Sequence, residues 1–245
     1  MIEIQSRQNA ALKHLARLGR ERKYRRSTGE MLCEGEKMLT EALRSGAEIK
    51  TVLVRRGFES GELRQAEKQG AAMYCAEDAL FCLASEVESP QNVIFSCMQP
   101  QWDAAALDDR EQVLLLDGLQ DPGNLGTILR TAEAFALGAV VLCEGCADPF
   151  SPKVVRSTMG AVFRLPCVQL PLKENGRSAG LRDRAARGQR AALECFARPG
   201  RRHHRQRGQG RERERAAPVR PARDHPDARP RRVAQRRRRG GDRDL

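Results

Sequence analysis

The chain has 245 residues, 40% hydrophobic and 31% charged, the make-up of a soluble globular protein with chain enough for one large domain or two ordinary ones. The longest apolar stretch, Ala134 to Cys143, is far short of the roughly 20 residues of a membrane span, and MIEIQSRQNAALK has no secretory apolar segment. A reducing, cytoplasmic location is therefore expected, with the eight cysteines as free thiols. Cys143 and Cys146 form one C-x-x-C, but no second pair or histidine cluster stands at ligand spacing, so no metal site is expected.

Charge is unevenly spread. Residues 201–245 hold 17 Arg, no Lys and 6 acids, a net of +11 out of +12 for the whole chain. That segment lacks Ile, Phe, Met, Tyr and Trp, so it cannot bury enough apolar surface to offset its conformational entropy and is expected to be disordered.

Residues 1–30 read as helical and basic, with Arg17, Arg20, Arg22, Lys23, Arg25 and Arg26 close together; the stretch is either a phosphate-contacting patch or a solvated helix face. A mixed α/β pattern follows: a helix over Gly35–Ser45, a strand over Lys50–Val54, helices near Ser60–Gln69 and Ala76–Leu83, and a strand over Asn92–Met98. Pro100 and the polar Gln101–Asp109 read as a linker between two α/β modules. The second module opens with the all-apolar Val113–Leu116, a strand buried on both faces. A turn, an amphipathic helix and the strand Gly138–Leu142 complete a βαβ unit with a parallel pair. A further helix begins with Ser151 as N-cap and Pro152 at its first position, and a strand is expected at Val162–Leu165.

The first turn of that module, Asp117-Gly118-Leu119-Gln120-Asp121-Pro122-Gly123-Asn124-Leu125-Gly126, is not G-x-G-x-x-G, which disfavours a Rossmann nucleotide site. In the helix after it, Leu125, Ile128, Leu129, Ala132 and Ala136 form one apolar stripe. Asn124 and Thr127 lie off the stripe, and Arg130 is ~60° around the helix from Thr127, so the three share a side. An Asn at a helix start is commonly a cap and an Arg on a helix commonly a surface charge. Both here stand at the carboxyl end of the first parallel strand, where α/β sheets place ligands, and the combination marks a site.

The run DGLQDPGNLGTILRTAEAFALGAVVL, followed by DPFSPKVVRSTMGAVFRLP, resembles the first two motifs of the SpoU/TrmH family of RNA ribose 2′-O-methyltransferases, of the SPOUT class. QSRQNAALKHLARL and LCEGEKMLTEAL are similar to the family's RNA-binding substrate domain. The resemblance implies an α/β fold: a small N-terminal RNA-binding domain over residues 1–105 and a SPOUT-type parallel-sheet domain over 110–195, with the family's trefoil knot incomplete as written. It implies S-adenosylmethionine as cofactor, a homodimer, and structured RNA, ribosomal rather than transfer, as substrate. Asn124 and Arg130 match the motif-one Asn and the family's proposed catalytic Arg. Arg156 and Gly160-Ala161 match motif two, with Thr158 where Ser is usual. Arg156, with Arg22, Lys23, Arg25 and Arg26, is assigned to RNA.

The family's third motif, which resembles I-G-N-E-G-x-G-x-S, I-P-M and E-S-L-N, is absent from the written chain, leaving the cofactor residues unassigned. Back-translating His203 to Glu212 and advancing by one nucleotide allows Ile-Ile-Gly-Asn-Glu-Gly-Arg-Gly, a residue, then Ser. Arg232 to Asp242 allows Glu-Ser-Leu-Asn and alanines, and Asp224 to Asp227 allows Ile-Thr-Pro-Met. Residues 196–245 thus read as an out-of-frame tail, with the shift between about Ala191 and Arg202. The alternatives are an inactive methyltransferase remnant or a non-catalytic RNA-binding protein, for which the tail would be a basic RNA-binding segment.

Overall fold

Two sheets organise the chain, and in both the apolar pattern explains which faces are covered. The computed structural model describes residues 1–107, 110, 112–170 and 193–195. The expected out-of-frame tail and the loops that would thread a knot lie outside the described residues.

The first module contains β1 (Ile2–Ile4), α1 (Ala10–Arg20), α2 (Arg22–Thr28), β2 (Glu30–Glu34), α3 (Glu36–Arg44), β3 (Ile49–Arg55), α4 (Gly61–Lys68), β4 (Ala72–Ala76), α5 (Asp78–Phe81) and β5 (Val93–Met98). The strands form one sheet in the order β1-β4-β3-β5-β2, parallel from β1 to β3 and antiparallel around β5. Asn9 caps α1 by accepting from the Ala11 and Leu12 amides at 2.9 and 3.3 Å, and Ser60 caps α4 through the Leu63 amide. Leu12, Leu15 and Leu18 of α1 pack with Leu32, Leu53 and Ile94 on one face of the sheet; Leu39, Ala42 and Leu63 pack with Val52, Val54 and Phe95 on the other.

The second module contains β6 (Val113–Leu116), α6 (Pro122–Ala134), β7 (Ala139–Leu142), α7 (Pro152–Thr158), β8 (Cys167–Gln169) and β9 (Leu193–Cys195). Its sheet is wholly parallel in the order β8-β7-β6-β9, the βαβ arrangement expected from the two apolar runs. Leu125 and Leu129 of α6 and Val154 of α7 cover one face, while Trp102 and Leu107 of the linker pack on the other. A 3-10 turn over Ala104–Leu107 makes that linker partly structured.

The modules share packing. Val155 of α7, with Val162 and Phe163 just beyond it, joins the core beneath the first sheet. Arg164 then reaches Glu41 of α3 and Glu133 of α6, each at 2.5 Å.

Four expectations are corrected. The first 30 residues are not wholly helical, because Ile2–Ile4 pairs in parallel with β4. Ala76 ends a strand, and the following helix is one turn, Asp78–Phe81, plus a 3-10 turn over Cys82–Ala84. The segment expected as a strand at Val162–Leu165 begins as a 3-10 turn over Ala161–Phe163, turned by Gly160 at φ +98°; the strand comes later, at β8. Ala136 is exposed at φ +55°, past the end of α6, and does not extend its buried stripe.

Where α6 meets α7, a Cβ on Gly126 would lie 2.4 Å from Ser157 Cβ and 2.8 Å from the Val154 carbonyl. Gly126→Ala should therefore cost about 1–3 kcal/mol through overpacking. Gly61→Ala, facing open space at the start of α4, should be neutral or stabilise by up to ~1 kcal/mol. Urea unfolding of the two variants measures the difference.

Candidate functional site

The loops after β6 and β7 meet at the carboxyl edge of the parallel sheet. The Gly118 amide donates to the Glu144 carbonyl at 3.3 Å, Cys143 N to Leu116 O at 2.9 Å and Ala147 N to Leu119 O at 2.7 Å. Gly118 needs its φ of +63° to turn there, and Gly145 approaches it closely enough that a Cβ would lie 3.4 Å from Gly118 Cα.

The loop after β6 delivers α6. Asp121, not Asn124, is the N-cap: its Oδ1 accepts from the Asn124 amide at 2.6 Å, and Pro122 takes the first helical position. Asn124 is left exposed with its side-chain amide uncommitted among the described residues. Arg130 is likewise exposed, with no acid or carbonyl partner among the described residues. Thr127, which shares that side of the helix, turns its hydroxyl inward to donate to the Gly123 carbonyl at 2.9 Å. The helix thus presents a carboxamide and a guanidinium, a set able to hold a sugar hydroxyl and a phosphate.

The residues assigned to RNA divide. Arg22, Lys23 and Arg26 are exposed on α2, with Arg22 only 3.9 Å from Asp148. Arg25 is corrected: it is 4% exposed. Its guanidinium donates to Asp148 Oδ2 at 2.7 and 3.2 Å and to the Leu18 and Gly19 carbonyls at 2.8 and 3.1 Å. With those donors engaged, Arg25 joins α2 to the loop before α7 and offers nothing to a phosphate. Arg17 is paired with Glu21 four residues on and lies over the Tyr24 ring. Arg156 lies half-exposed at the module junction, 3.8 Å from Glu34. Burial pushes the Glu34 carboxyl up, against hydrogen bonds from Ser85 Oγ and the Gln91 amide and the charge of Arg156 that act the other way.

Motif-two residues mostly serve packing. Thr158 is fully buried with its hydroxyl donated to the Val155 carbonyl at 2.7 Å. Ser151 sits at the expected capping position of α7, but its buried Oγ has no partner among the described residues. Burial pushes the Cys143 thiol up to about 11 and the Cys167 thiol up to about 12, which suits inert core thiols. Among the described residues no three His, Cys, Asp or Glu side chains stand together as metal ligands.

Comparison with known proteins supplies the family. The sequence profile of the SpoU rRNA Methylase family matches residues 111–175, and that of the MRM3-like substrate binding domain matches residues 9–94. The chain is 37% identical over 169 residues to the 23S rRNA (guanosine(2553)-2′-O)-methyltransferase RlmP of Bacillus subtilis (strain 168), covering 69% of this chain and 65% of that one. It is 32% identical over 185 residues to the uncharacterized tRNA/rRNA methyltransferase slr1673 of Synechocystis sp., covering 73% of this chain and 67% of that one. The chain belongs to the SpoU methylase family. A solved family structure, the SpoU methyltransferase AviRb from Streptomyces viridochromogenes in complex with AdoMet, is similar at a TM-score of 0.61 and 29% identity, covering 74% of this chain and 70% of that one. The chain spans 65% of the Bacillus relative's length and less of the mitochondrial rRNA methyltransferases it also matches.

For this SpoU chain, the division of the basic helix has a measurable consequence. Arg25→Ala should cost about 3 kcal/mol in urea unfolding, since it strips the mostly buried Asp148 of its direct ion-pair partner and leaves only the more distant Arg22 and the Phe150 amide. Arg22→Ala, Lys23→Ala and Arg26→Ala should each stay within about 0.5 kcal/mol of the parent.

Proposed function

We propose that this protein methylates a ribose 2′-hydroxyl of structured RNA, ribosomal rather than transfer, with S-adenosylmethionine as the methyl donor. The observation that carries the reading is the pair Asn124 and Arg130, exposed and uncommitted on α6 at the carboxyl end of β6, in a chain of SpoU family. The relatives named as rRNA methyltransferases and the neighbour solved with AdoMet support the substrate and cofactor.

The bound cofactor would supply an electrophilic methyl group. The described residues do not by themselves make its site: β9 ends at Cys195, and the segment where the family's third motif is expected lies outside them. Within the described residues, the reaction asks for a group that orients the ribose hydroxyl and one that holds the adjacent phosphate. Asn124 can do the first. A guanidinium is a donor only and no general base, but the Arg130 fork can grip the phosphate and stabilise developing alkoxide charge while that phosphate shares in removing the proton. Arg22, Lys23 and Arg26 add phosphate contacts along α2, and Arg156 adds one at the module junction. A homodimer and a cytoplasmic location complete the reading.

The same proposal holds that residues after about Ala191–Arg202 are read one base out of frame, which separates this enzyme from a non-catalytic RNA binder or an inactive remnant. Calorimetry with S-adenosylmethionine should detect little or no binding by the chain as written. Micromolar binding is expected from a chain expressed after a one-base correction there. In that corrected chain Arg130→Lys should lose most of the methyl transfer to rRNA, because a point charge cannot reproduce the fork. Full activity in Arg130→Lys contradicts the assigned role, and an intact reading frame in the resequenced gene favours the non-catalytic binder.

A further inference from the structure

Two cavities flank Arg26, and neither is lined by a residue of α6. The first, of about 350 Å³, lies among α2, the linker and the β8 edge, with Arg26, Gln99, Trp102, Phe150 and Gln169 in its wall. The second, of about 480 Å³, lies at the carboxyl ends of β7 and β8 and shares Arg26 and Gln169 with the first. Both are of ligand-pocket size.

The chemistry of the first cavity is specific. Its charged wall residues are Arg25, Arg26 and Asp148; the Arg25–Asp148 pair is mutually satisfied, so the uncompensated charge is the Arg26 guanidinium. Arg26 has no ion-pair or hydrogen-bond partner among the described residues. The wall otherwise offers an indole, a phenyl ring and the exposed Gln169 amide, groups that stack on or bond the edge of a flat heteroaromatic ring, while the Gln99 and Gln101 amide nitrogens are spent on the Arg25, Glu30 and Gln99 carbonyls and hold the wall in place. Trp102 packs against the second sheet, and its buried indole N–H has no acceptor among the described residues. A buried donor without an acceptor is costly, and ring nitrogens or carbonyls of a base could accept from it after a small rotation.

We propose that this cavity binds a nucleobase of single-stranded RNA next to Trp102, with Arg26 on a phosphate flanking that nucleotide. The inference rests on the RNA reading above and adds a second, non-catalytic nucleotide subsite to it. It makes Arg26 a specific contact and not one charge among several on α2.

Trp102 is the single tryptophan of the chain, so its emission reports on this cavity alone. The full-length chain is titrated with a short oligouridylate or oligoadenylate, with Trp102 emission and the anisotropy of the labelled oligonucleotide followed together. A saturable change in emission that tracks the anisotropy is expected, with no change on adding inorganic phosphate or pyrophosphate. Arg26→Ala should weaken the emission-detected affinity about tenfold, the loss of one charge-assisted contact. Arg20→Ala, on α1, should leave it unchanged. Oligonucleotide binding with silent Trp102 emission overturns the subsite while leaving RNA binding standing, because the arginines of residues 201–245 could produce the anisotropy change alone. An equal emission response to pyrophosphate, or an Arg26→Ala variant that behaves as the parent, also overturns it. Failure to bind any oligonucleotide contradicts the RNA reading and the subsite with it.

Discussion

The contact on which the arrangement depends is the buried ion pair between Arg25 of α2 and Asp148 of the loop before α7. A guanidinium taken out of water must have its donors satisfied, and here Asp148 and the Leu18 and Gly19 carbonyls do this together. The result is positional. The short basic helix is held against the carboxyl edge of the parallel sheet, with Arg22, Lys23 and Arg26 facing solvent beside it. A second junction, where Phe163 enters the first sheet's core and Arg164 spans Glu41 and Glu133, also ties the modules. The charge the helix can offer to RNA is consequently smaller than its composition states.

At the other end of the same edge, local capping decides what is available for chemistry. Asp121 and Pro122 start α6, Asp121 Oδ1 accepting from the Asn124 backbone amide, so the Asn124 side chain is released from the role an Asn at a helix start commonly fills. Arg130, one and a half turns on, has no acid partner among the described residues, while Glu133 on the same helix is taken by Arg164. The helix therefore keeps two polar groups free on a rigid element whose buried face, Leu125 and Leu129, fixes their direction.

Much of this was legible in the sequence where apolar runs were long. Val113–Leu116 and Gly138–Leu142 announced a parallel pair because nothing polar interrupts them, and the α6 stripe followed from helical spacing. The short strands β1 and β4 escaped because three to five residues carry little periodicity and gain their stability from pairing with β3 and with each other. Gly160 at φ +98° displaced the expected strand at Val162–Leu165, a turn visible only as Met159-Gly160 in a string of apolar residues. Arg25 is illegible for a different reason. Its partner is 123 residues away in sequence, and one arginine in a basic stretch gives no sign that it points inward. Trp102 was hidden in a segment whose polarity reads as a linker.

The central claim is that the folded body, through α2 and the exposed side of α6, grips RNA at the carboxyl edge of the second sheet. Photocrosslinking the full-length chain to rRNA fragments carrying 4-thiouridine, with the crosslinked peptides mapped by mass spectrometry, tests it most directly. The account predicts crosslinks in the peptides spanning Arg22–Arg26 and Asn124–Arg130. Crosslinks confined to residues 201–245, with both of those peptides unmodified, would contradict it.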